Sequence, residues 1–358
     1  MNHLHRARCP KRCALLSFIG FFLINAGWLV NASASVEEQT GFLAITEEND
    51  SLSNPFGQHQ DRHYTQGLKI SLFGGDDFLT NVTTQLNNIL PAIGFRPEAG
   101  DLGWVMLGQN IYTPSNILTH APIKSDRPYG GWLYTGAIYQ RRGDITPNLQ
   151  VMENFEINIG VVGPDSLAAQ SQKTVHHWYF GHTDTPEGWN NQLKDEPGLD
   201  LKYARLWRWS FNTESARYID VIPHIGGEVG NVFTFAEAGG TLRLGYNLPP
   251  DFGIQIIDSP ASVNGGLTRH APAFFGYVFG GVDGRAVGYD VMLDGNTFHA
   301  GPSVEKNILV GDASYGFALQ FFHHVEFAYT RVIRTEEFRR QQHNDIFGSL
   351  TLKAKFCF

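Results

Sequence analysis

Short segments of alternating or continuous apolar character recur along most of this chain, and each ends at turn residues. They are about ten residues long and rich in aromatic residues, Gly, Val and Ile, which is typical of transmembrane β-barrel strands. Twelve such segments are predicted: Gly41–Asp50, Arg62–Phe73, Asp101–Tyr112, Gly130–Arg141, Gln150–Val162, Leu199–Phe211, Arg217–Val232, Ala236–Tyr246, Pro272–Val282, Thr297–Val310, Ser314–Ile333 and Ile346–Phe358. The even number fits a single-chain bacterial barrel, so the predicted fold class is an all-β, antiparallel transmembrane barrel.

The last segment has two distinct faces. From Phe347 to Phe358, one face carries Ser, Thr and Lys, and the other carries Gly, Leu, Ala and Phe, which suits lipid. The chain stops on an aromatic residue, which resembles the signal by which the barrel assembly machinery receives outer-membrane proteins. A strand of a soluble sandwich can alternate in the same way, but the segment count and the N-terminus favour a membrane barrel.

The N-terminus has the order of a secretory signal. A basic stretch precedes an apolar run from Ala14 to Val30, and Ala32-Ser33-Ala34 follows. This predicts a signal peptide over residues 1–34 and a single mature domain over residues 35–358; the alternative is a retained transmembrane helix. Of the three cysteines only Cys357 lies after the predicted cut, so no disulfide framework is expected.

Composition excludes several function classes. The formal net charge is −8, which provides no basic footprint for nucleic acid. The sequence also lacks a Gly-x-Ser-x-Gly elbow, a Cys/His zinc spacing, a phosphate-cradling loop and a dinucleotide fingerprint.

Polar clusters gather in three predicted external connections. If the mature chain starts in the periplasm, residues 51–61, 113–129 and 163–198 face the cell exterior. The first connection is flanked by Asn49, Asp50 and Thr65, whose amide, carboxylate and hydroxyl oxygens are suited to a hard cation such as calcium. The alternative is an ordinary polar loop between two strands.

The other two connections hold charged and titratable groups. Lys124 and Arg127 are candidates for holding an anionic substrate group such as a phosphate, or are solvated loop charges. A short helix is predicted over Ser166–Phe180, with Gln172 and His176 on one face. His176 is a candidate general base, with the adjacent His177 as its rival. Asp184 is a candidate for a further metal oxygen.

These residues, taken in order, resemble the outer-membrane lipid A 3′-O-deacylases. The resemblance rests on an ordered set of short motifs that covers nearly the whole mature chain: Glu48-Asn49-Asp50, Asp61-Arg62, Tyr64-Thr65, Gly67, Gln109, Tyr112, Pro114-Ser115, Asp126-Arg127-Pro128-Tyr129, Gly131-Trp132, Gly160, Gly163-Pro164, Gln172, His176, Gly188-Trp189 and Gln192-Leu193. It implies a twelve-stranded barrel in the outer membrane of a Gram-negative bacterium. It also implies a calcium-dependent esterase that acts on lipid A of lipopolysaccharide at the extracellular end of the barrel.

The resemblance assigns roles to four residues. Asn49, Asp50 and Thr65 fall on active-site and calcium positions, and His176 falls on the catalytic histidine that activates water while calcium stabilises the oxyanion. Two departures affect the register: His177 adds a residue before Gly181, and Thr183 or Asp184 stands where a glutamate is expected. The basic residues that line the site in a characterised branch of that family have no counterparts in residues 115–123 of this chain.

Two other functions are consistent with the same pattern. One is an outer-membrane phospholipase acting on glycerophospholipid esters. The other is a passive barrel, such as a pore, an adhesin or a structural protein, although twelve strands enclose a modest interior that side chains can block.

Overall fold

The computed structural model describes residues 40–53, 62–74, 77–180, 185–213, 216–253, 256–262 and 273–357. The predicted signal peptide, Asp184 and Phe358 therefore lie outside the described residues. No helix within these ranges is long and apolar enough to cross a membrane.

The chain forms a closed, antiparallel barrel of twelve strands, as the alternation predicted. Each strand pairs with its neighbours in sequence, and the first strand pairs with the last from Thr40 opposite Cys357 to Asn49 opposite Gly348. The strands are β1 Thr40–Asn49, β2 His63–Phe73, β3 Ala99–Thr113, β4 Gly130–Thr146, β5 Leu149–Val162, β6 Glu196–Thr213, β7 Ala216–Gly230, β8 Phe233–Tyr246, β9 Phe275–Asp290, β10 Leu309–Phe321, β11 Val325–Arg334 and β12 Asp345–Cys357. The helices are α1 Asp77–Ile89, α2 Ala168–Phe180 and α3 Val291–Asp294.

The two faces of the strands separate a polar lumen from an apolar exterior. In β12, Ser349, Thr351 and Lys353 are buried, whereas the alternate residue Leu352 is 46 % exposed. Lys353 pairs inside the barrel with Glu326 of β11 at 3.0 Å. The alternation predicted for this strand is thus confirmed, and it sorts polar residues inward and apolar residues toward lipid.

Two predicted strands near the C-terminus are wrong. The total of twelve strands is still correct, because one predicted strand is mostly a loop and the other contains two strands. Residues 297–308 form a loop instead of most of the strand Thr297–Val310, and β10 begins at Leu309. The predicted strand Ser314–Ile333 is a hairpin, because Phe322 and His323 adopt left-handed φ values of 57° and 62°. The alternation of side chains continues from one strand of this hairpin into the next, and the tight turn between them lacks Gly and Pro. The pattern of alternation therefore did not predict the turn.

Thr40 and Cys357, the first and last described residues of the barrel, lie at the end that carries the turns at residues 147–148 and 322–324. Short turns mark the periplasmic end of such barrels, so the loops after β1, β3, β5, β7, β9 and β11 are extracellular. The connection between β2 and β3 holds α1, a helix that the alternation did not predict.

The connection between β8 and β9 enters the lumen from the periplasmic end. Leu248, Phe252 and Ile257 are buried, and the amide of Ile257 donates to the Glu48 carboxylate of β1 at 2.9 Å. Near the extracellular end, Asp258 accepts a hydrogen bond from Arg334 of β11 at 2.9 Å. The described residues of this connection, 247–253 and 256–262, are called the lumen plug below, and they occupy the interior of the barrel.

Candidate functional site

The β1–β2 hairpin joins the residues of the first polar cluster. Asn49 lies opposite Gln66 in the strand register, and its Oδ1 accepts from the amide of Ser51 at 2.8 Å. The Oδ2 atom of Asp50 accepts from the amide of Arg62 at 2.9 Å, which closes the extracellular loop at its base. Both polar side chains are therefore held where β1 ends and β2 begins.

The alternation of β1 turns Asn49 toward the outside of the barrel. Its neighbour Glu48 is buried in the lumen, where it accepts a hydrogen bond from the hydroxyl of Tyr64 at 2.8 Å. Because successive side chains point to opposite faces of a strand, Asn49 lies on the outer wall.

A break in the register of β2 sets the direction of the Thr65 side chain. The pairing with β3 shifts between Tyr64 and Gln66, which leaves Thr65 as the extra residue of a bulge. Its hydroxyl lies 2.7 Å from the hydroxyl of Thr113. Thr113 alternates with the inward-facing Tyr112, so this hydroxyl pair also belongs to the outer wall.

Helix α2 packs against the outside of the barrel, not over its mouth. The turn before it is fixed by Gln109 of β3, whose Nε2 donates to the carbonyl of Ser166 at 2.7 Å. A Cβ on Gly131 of β4 would meet the Ser166 Oγ at 2.2 Å and the Ala168 Cβ at 2.3 Å, so only glycine permits this contact. The outward-facing Ile111 lies in one apolar cluster with Ala168 and Trp189.

The two adjacent histidines occupy different faces of α2. His176 is 7 % exposed, whereas His177 is exposed. Gln172, one turn before His176, is also buried, and its Oε1 accepts from the indole of Trp189 at 2.8 Å. The structure therefore directs His176 at the barrel wall and His177 at solvent.

Hard oxygen atoms lie at the extracellular ends of β1, β2 and β3. They come from the outward-facing amide of Asn49, the buried carboxylate of Asp50 directly after β1 and the hydroxyls of Thr65 and Thr113. Such a donor set suits calcium better than a softer metal. Asp184, the remaining predicted metal ligand, lies outside the described residues.

Lys124 and Arg127 are placed differently from each other. Lys124 is exposed on the extracellular loop. This position is compatible both with binding an anionic substrate group and with a solvated loop charge. Arg127 is 0 % exposed, and its guanidinium pairs with Glu337 at 3.1 Å and lies 4.9 Å over the ring of Tyr112. The structure therefore places Arg127 inside the barrel as a buried, paired cation and does not bring it to the outer wall.

The neighbouring Asp126 ties the second extracellular loop to β2. Its carboxylate accepts from the Ser115 amide at 2.8 Å and lies 3.3 Å from the Nε2 atom of His63. Burial by itself raises the pKa of Asp126, but hydrogen bonds from His63 and Ser115 outweigh it and lower the pKa to about 2. The other imidazole nitrogen of His63 lies 2.6 Å from Asp345 of β12.

Thr113 and His63 were not predicted as site residues from the sequence. Thr113 follows the last predicted residue of its strand, and no spacing in the sequence relates it to Thr65. His63 stands beside Tyr64 and Thr65, but its two carboxylate partners lie far along the chain. Its left-handed φ of 59° sits directly before the bulge that turns Thr65 outward.

A second group of potential metal ligands lies inside the barrel. Ligand atoms of His224, Glu237 and Asp283 lie within 4.8 Å of one another. Asp283 is 2.6 Å from His224, Glu237 accepts from the amide of Ala261 at 3.0 Å, and Arg285 approaches both carboxylates. These groups pair with one another and are joined to the lumen plug through the amide of Ala261.

Comparisons with known proteins give a family match over most of the chain and a solved structure of the same fold. The profile of the family described as Outer membrane protein LpxR matches residues 16–356. The solved structure of LpxR from Salmonella typhimurium is 21 % identical with a TM-score of 0.68, covering 87 % of this chain and 99 % of that chain. The β-domain of the Bordetella autotransporter BrkA is 9 % identical with a TM-score of 0.34, covering 88 % of this chain and 98 % of that chain. No curated protein sequence matches.

Proposed function

This chain belongs to the LpxR family of outer membrane proteins, and from that premise we propose that it is a lipid A deacylase. In detail, we propose a calcium-dependent esterase that removes the 3′-linked acyloxyacyl group from lipid A in the outer leaflet. The residues that would carry out this reaction are His176, Asn49, Asp50, Thr65 and Thr113.

The observation that carries the proposal is the buried position of His176 between α2 and the outer wall. His176 lies two helical turns beyond Ala168, which sits over β4, and eight residues of helix span about 12 Å. Strands are about 4.8 Å apart, and α2 contacts both β4 and β3, so the helix is long enough to extend from β4 past β3. We infer that the imidazole and the outward oxygen atoms share one strip of the barrel exterior.

The location of the strip suits a lipid substrate. It lies at the extracellular end of the strands and faces away from the lumen, where outer-leaflet lipid contacts the barrel. An ester of lipid A can therefore approach laterally, without leaving the membrane. A site inside the lumen would require the substrate to displace the plug.

The chemistry follows from the residue types. Neutral His176 accepts a proton from a water molecule, and the resulting hydroxide attacks the ester carbonyl carbon. The tetrahedral intermediate collapses with cleavage of the bond to the sugar oxygen, and the imidazolium returns its proton to that oxygen. The products are a free sugar hydroxyl and a free acyloxyacyl carboxylic acid, and no serine nucleophile is needed. Thr65 and Thr113 orient the water or the ester.

The outer-wall oxygen atoms fit a calcium ion. Asp50 and Asn49 would hold it, with Thr65 as a further oxygen donor. A bound calcium would act as a Lewis acid that stabilises negative charge on the carbonyl oxygen.

The lumen plug argues against the passive pore. Arg243 of β8 is buried and binds Asp220 of β7 together with Asp251 of the plug, so wall and plug are joined by paired charges. A water-filled channel does not require such a filled interior.

The proposal is tested by mass spectrometry of lipid A from cells with and without the protein. The expected result is loss of one hydroxyacyl–acyl pair when the protein is present. Unchanged lipid A with hydrolysed phospholipids would favour the phospholipase, and no change in either lipid would contradict the esterase.

Two single variants test the role of His176 in the same assay. We expect His176→Ala to lose about 10²–10⁴-fold in rate, since a general base typically supplies that much. His177→Ala is the matched control on the solvent face of the same helix and should stay active. The opposite pattern would mean that the other histidine is the base.

A further inference from the structure

A cluster of charged residues lies on the lipid-facing wall near the periplasmic end of the barrel. Arg141 of β4 pairs with Glu153 of β5 at 2.6 Å, and Arg205 of β6 pairs with the same carboxylate at 3.5 Å. Their strand neighbours Gln140 and Asn154 bond to each other in the lumen at 3.0 Å. The three charged side chains therefore point outward, where an uncovered charge is unfavourable in the apolar part of a bilayer.

The segment that follows β2 covers this cluster. We name residues 77–98, which comprise α1 and the chain after it, the periplasmic collar. Arg141 donates to the carbonyls of Leu90 and Pro91 at 2.7 and 2.9 Å, and Arg205 donates to the carbonyl of Ile93 at 2.5 Å.

Aromatic and polar contacts complete the attachment. The guanidinium groups of Arg141 and Arg205 lie 5.9 and 5.4 Å from the ring centre of Phe95. The hydroxyl of Tyr139 donates to Asn87 of α1 at 2.5 Å. The collar is thus fixed to the outside of β4, β5 and β6 by groups that the wall itself supplies.

The collar exposes apolar side chains on its other side. Ile89 is 71 % exposed and Ile93 is 74 % exposed. The wall beside it exposes Trp104, Tyr203 and Trp209, residue types that mark the level of the membrane interface in outer-membrane barrels. The exposed face of the collar is therefore continuous with the lipid-facing surface of the barrel.

We propose that the periplasmic collar lies in the headgroup layer of the periplasmic leaflet and contacts phospholipid through Ile89 and Ile93. Its carbonyl groups screen the Arg141–Glu153–Arg205 cluster from the acyl chains, and its isoleucines cover the boundary between headgroups and chains. Phospholipid is the occupant because this face continues a surface that already contacts the bilayer. The inference is independent of the proposed enzymatic activity.

The test measures the immersion of residue 93 with a nitroxide spin label. Ile93→Cys is made with Cys9→Ala, Cys13→Ala and Cys357→Ala, and the protein is placed in vesicles of phosphatidylethanolamine and phosphatidylglycerol. Collisions with oxygen, which concentrates in lipid, are compared with collisions with a water-soluble nickel chelate. Ile157→Cys on the lipid-facing wall and Leu118→Cys in an extracellular loop give the two reference values.

We expect the nickel accessibility at residue 93 to be several-fold below that at residue 118 and above that at residue 157. A value equal to that at residue 118 would overturn the proposal. So would dipolar broadening between labels at residue 93, which would mean that a second copy of the chain covers this face. Ile89→Cys provides a second site if Ile93→Cys does not assemble.

The anchoring contacts are tested with Phe95→Ala in the labelled protein. Removing the ring between the two guanidinium groups should mobilise the label and raise its nickel accessibility toward the value at residue 118. Phe322→Ala, in an exposed periplasmic turn, is the matched control and should change neither. An unchanged signal in Phe95→Ala would contradict the proposed anchoring of the collar.

Discussion

The hydroxyl oxygens of Thr65 and Thr113 lie 2.7 Å apart on the outside of the barrel, although 48 residues separate them in the chain. The contact joins β2 to β3 at the point where the bulge leaves Thr65 without a regular strand partner. Since Thr65 belongs to the proposed site, Thr113 becomes a residue that positions it.

Thr113→Val keeps the shape of the side chain and removes its hydroxyl. We expect kcat/KM for lipid A to fall about 5- to 10-fold, because one hydrogen bond of this kind contributes on the order of 1 kcal/mol. Thr113→Ser restores the hydroxyl and should retain near-normal turnover. Equal activity of all three proteins would show that the pair does not orient the site.

The rate of deacylation should depend on pH through His176. An imidazole accepts a proton only when it is neutral, and its ordinary pKa is about 6.5. Well below the pKa of the base, we expect kcat/KM to fall about tenfold per pH unit. The residual rate of His176→Ala should not show this fall in kcat/KM at low pH. A wild-type rate that is flat from pH 5 to pH 8 would contradict base catalysis by a histidine.

Chelation should abolish activity, and calcium should restore it better than zinc does, because the outer-wall donors are hard oxygens. Asp50→Asn removes the charge and keeps the shape, so it should weaken calcium binding measured by calorimetry and lower the rate. Asp165→Asn changes an exposed carboxylate at the same end of the barrel and is the control. Full activity of Asp50→Asn in excess chelator would rule out the metal.

The intact protein should not conduct ions in a planar lipid bilayer, because the plug fills its lumen. Replacing residues 249–273 by a short turn removes most of the plug from the polar lumen, and we expect this variant to conduct. Comparable conductance of the two proteins would mean that the plug does not block the barrel.

Asp126 should contribute to stability in an acid-sensitive way. Its folded-state pKa of about 2 lies below the ordinary value of 3.8, so its contribution is present above about pH 4 and is lost as pH falls toward 2. Thermal unfolding of the wild type should therefore shift to lower temperature over this range. Asp126→Asn should be less stable at pH 7 and show a smaller shift; an identical shift would assign the effect to other carboxylates.

The sequence by itself determined the barrel. A period of two in side-chain character requires a sheet with one polar and one apolar face, and the segment Phe347–Phe358 contained both faces in full. It also brought Asn49 and Asp50 close to Thr65, because a hairpin joins residues that are near in sequence. The same local signal failed at residues 297–333, where alternation did not distinguish a loop from a strand or a tight hairpin from one long strand.

Only the tertiary structure decided which side of the wall each group faces. Arg127 looked like a surface cation, but its partner Glu337 lies 210 residues away in the chain and holds it inside the barrel. His176 and His177 are adjacent residues of the same type, and the sequence does not distinguish them. Their environments differ only because α2 packs one face against β3 and β4. Alternation states that two faces exist, whereas contacts between residues far apart in the chain decide what covers each face.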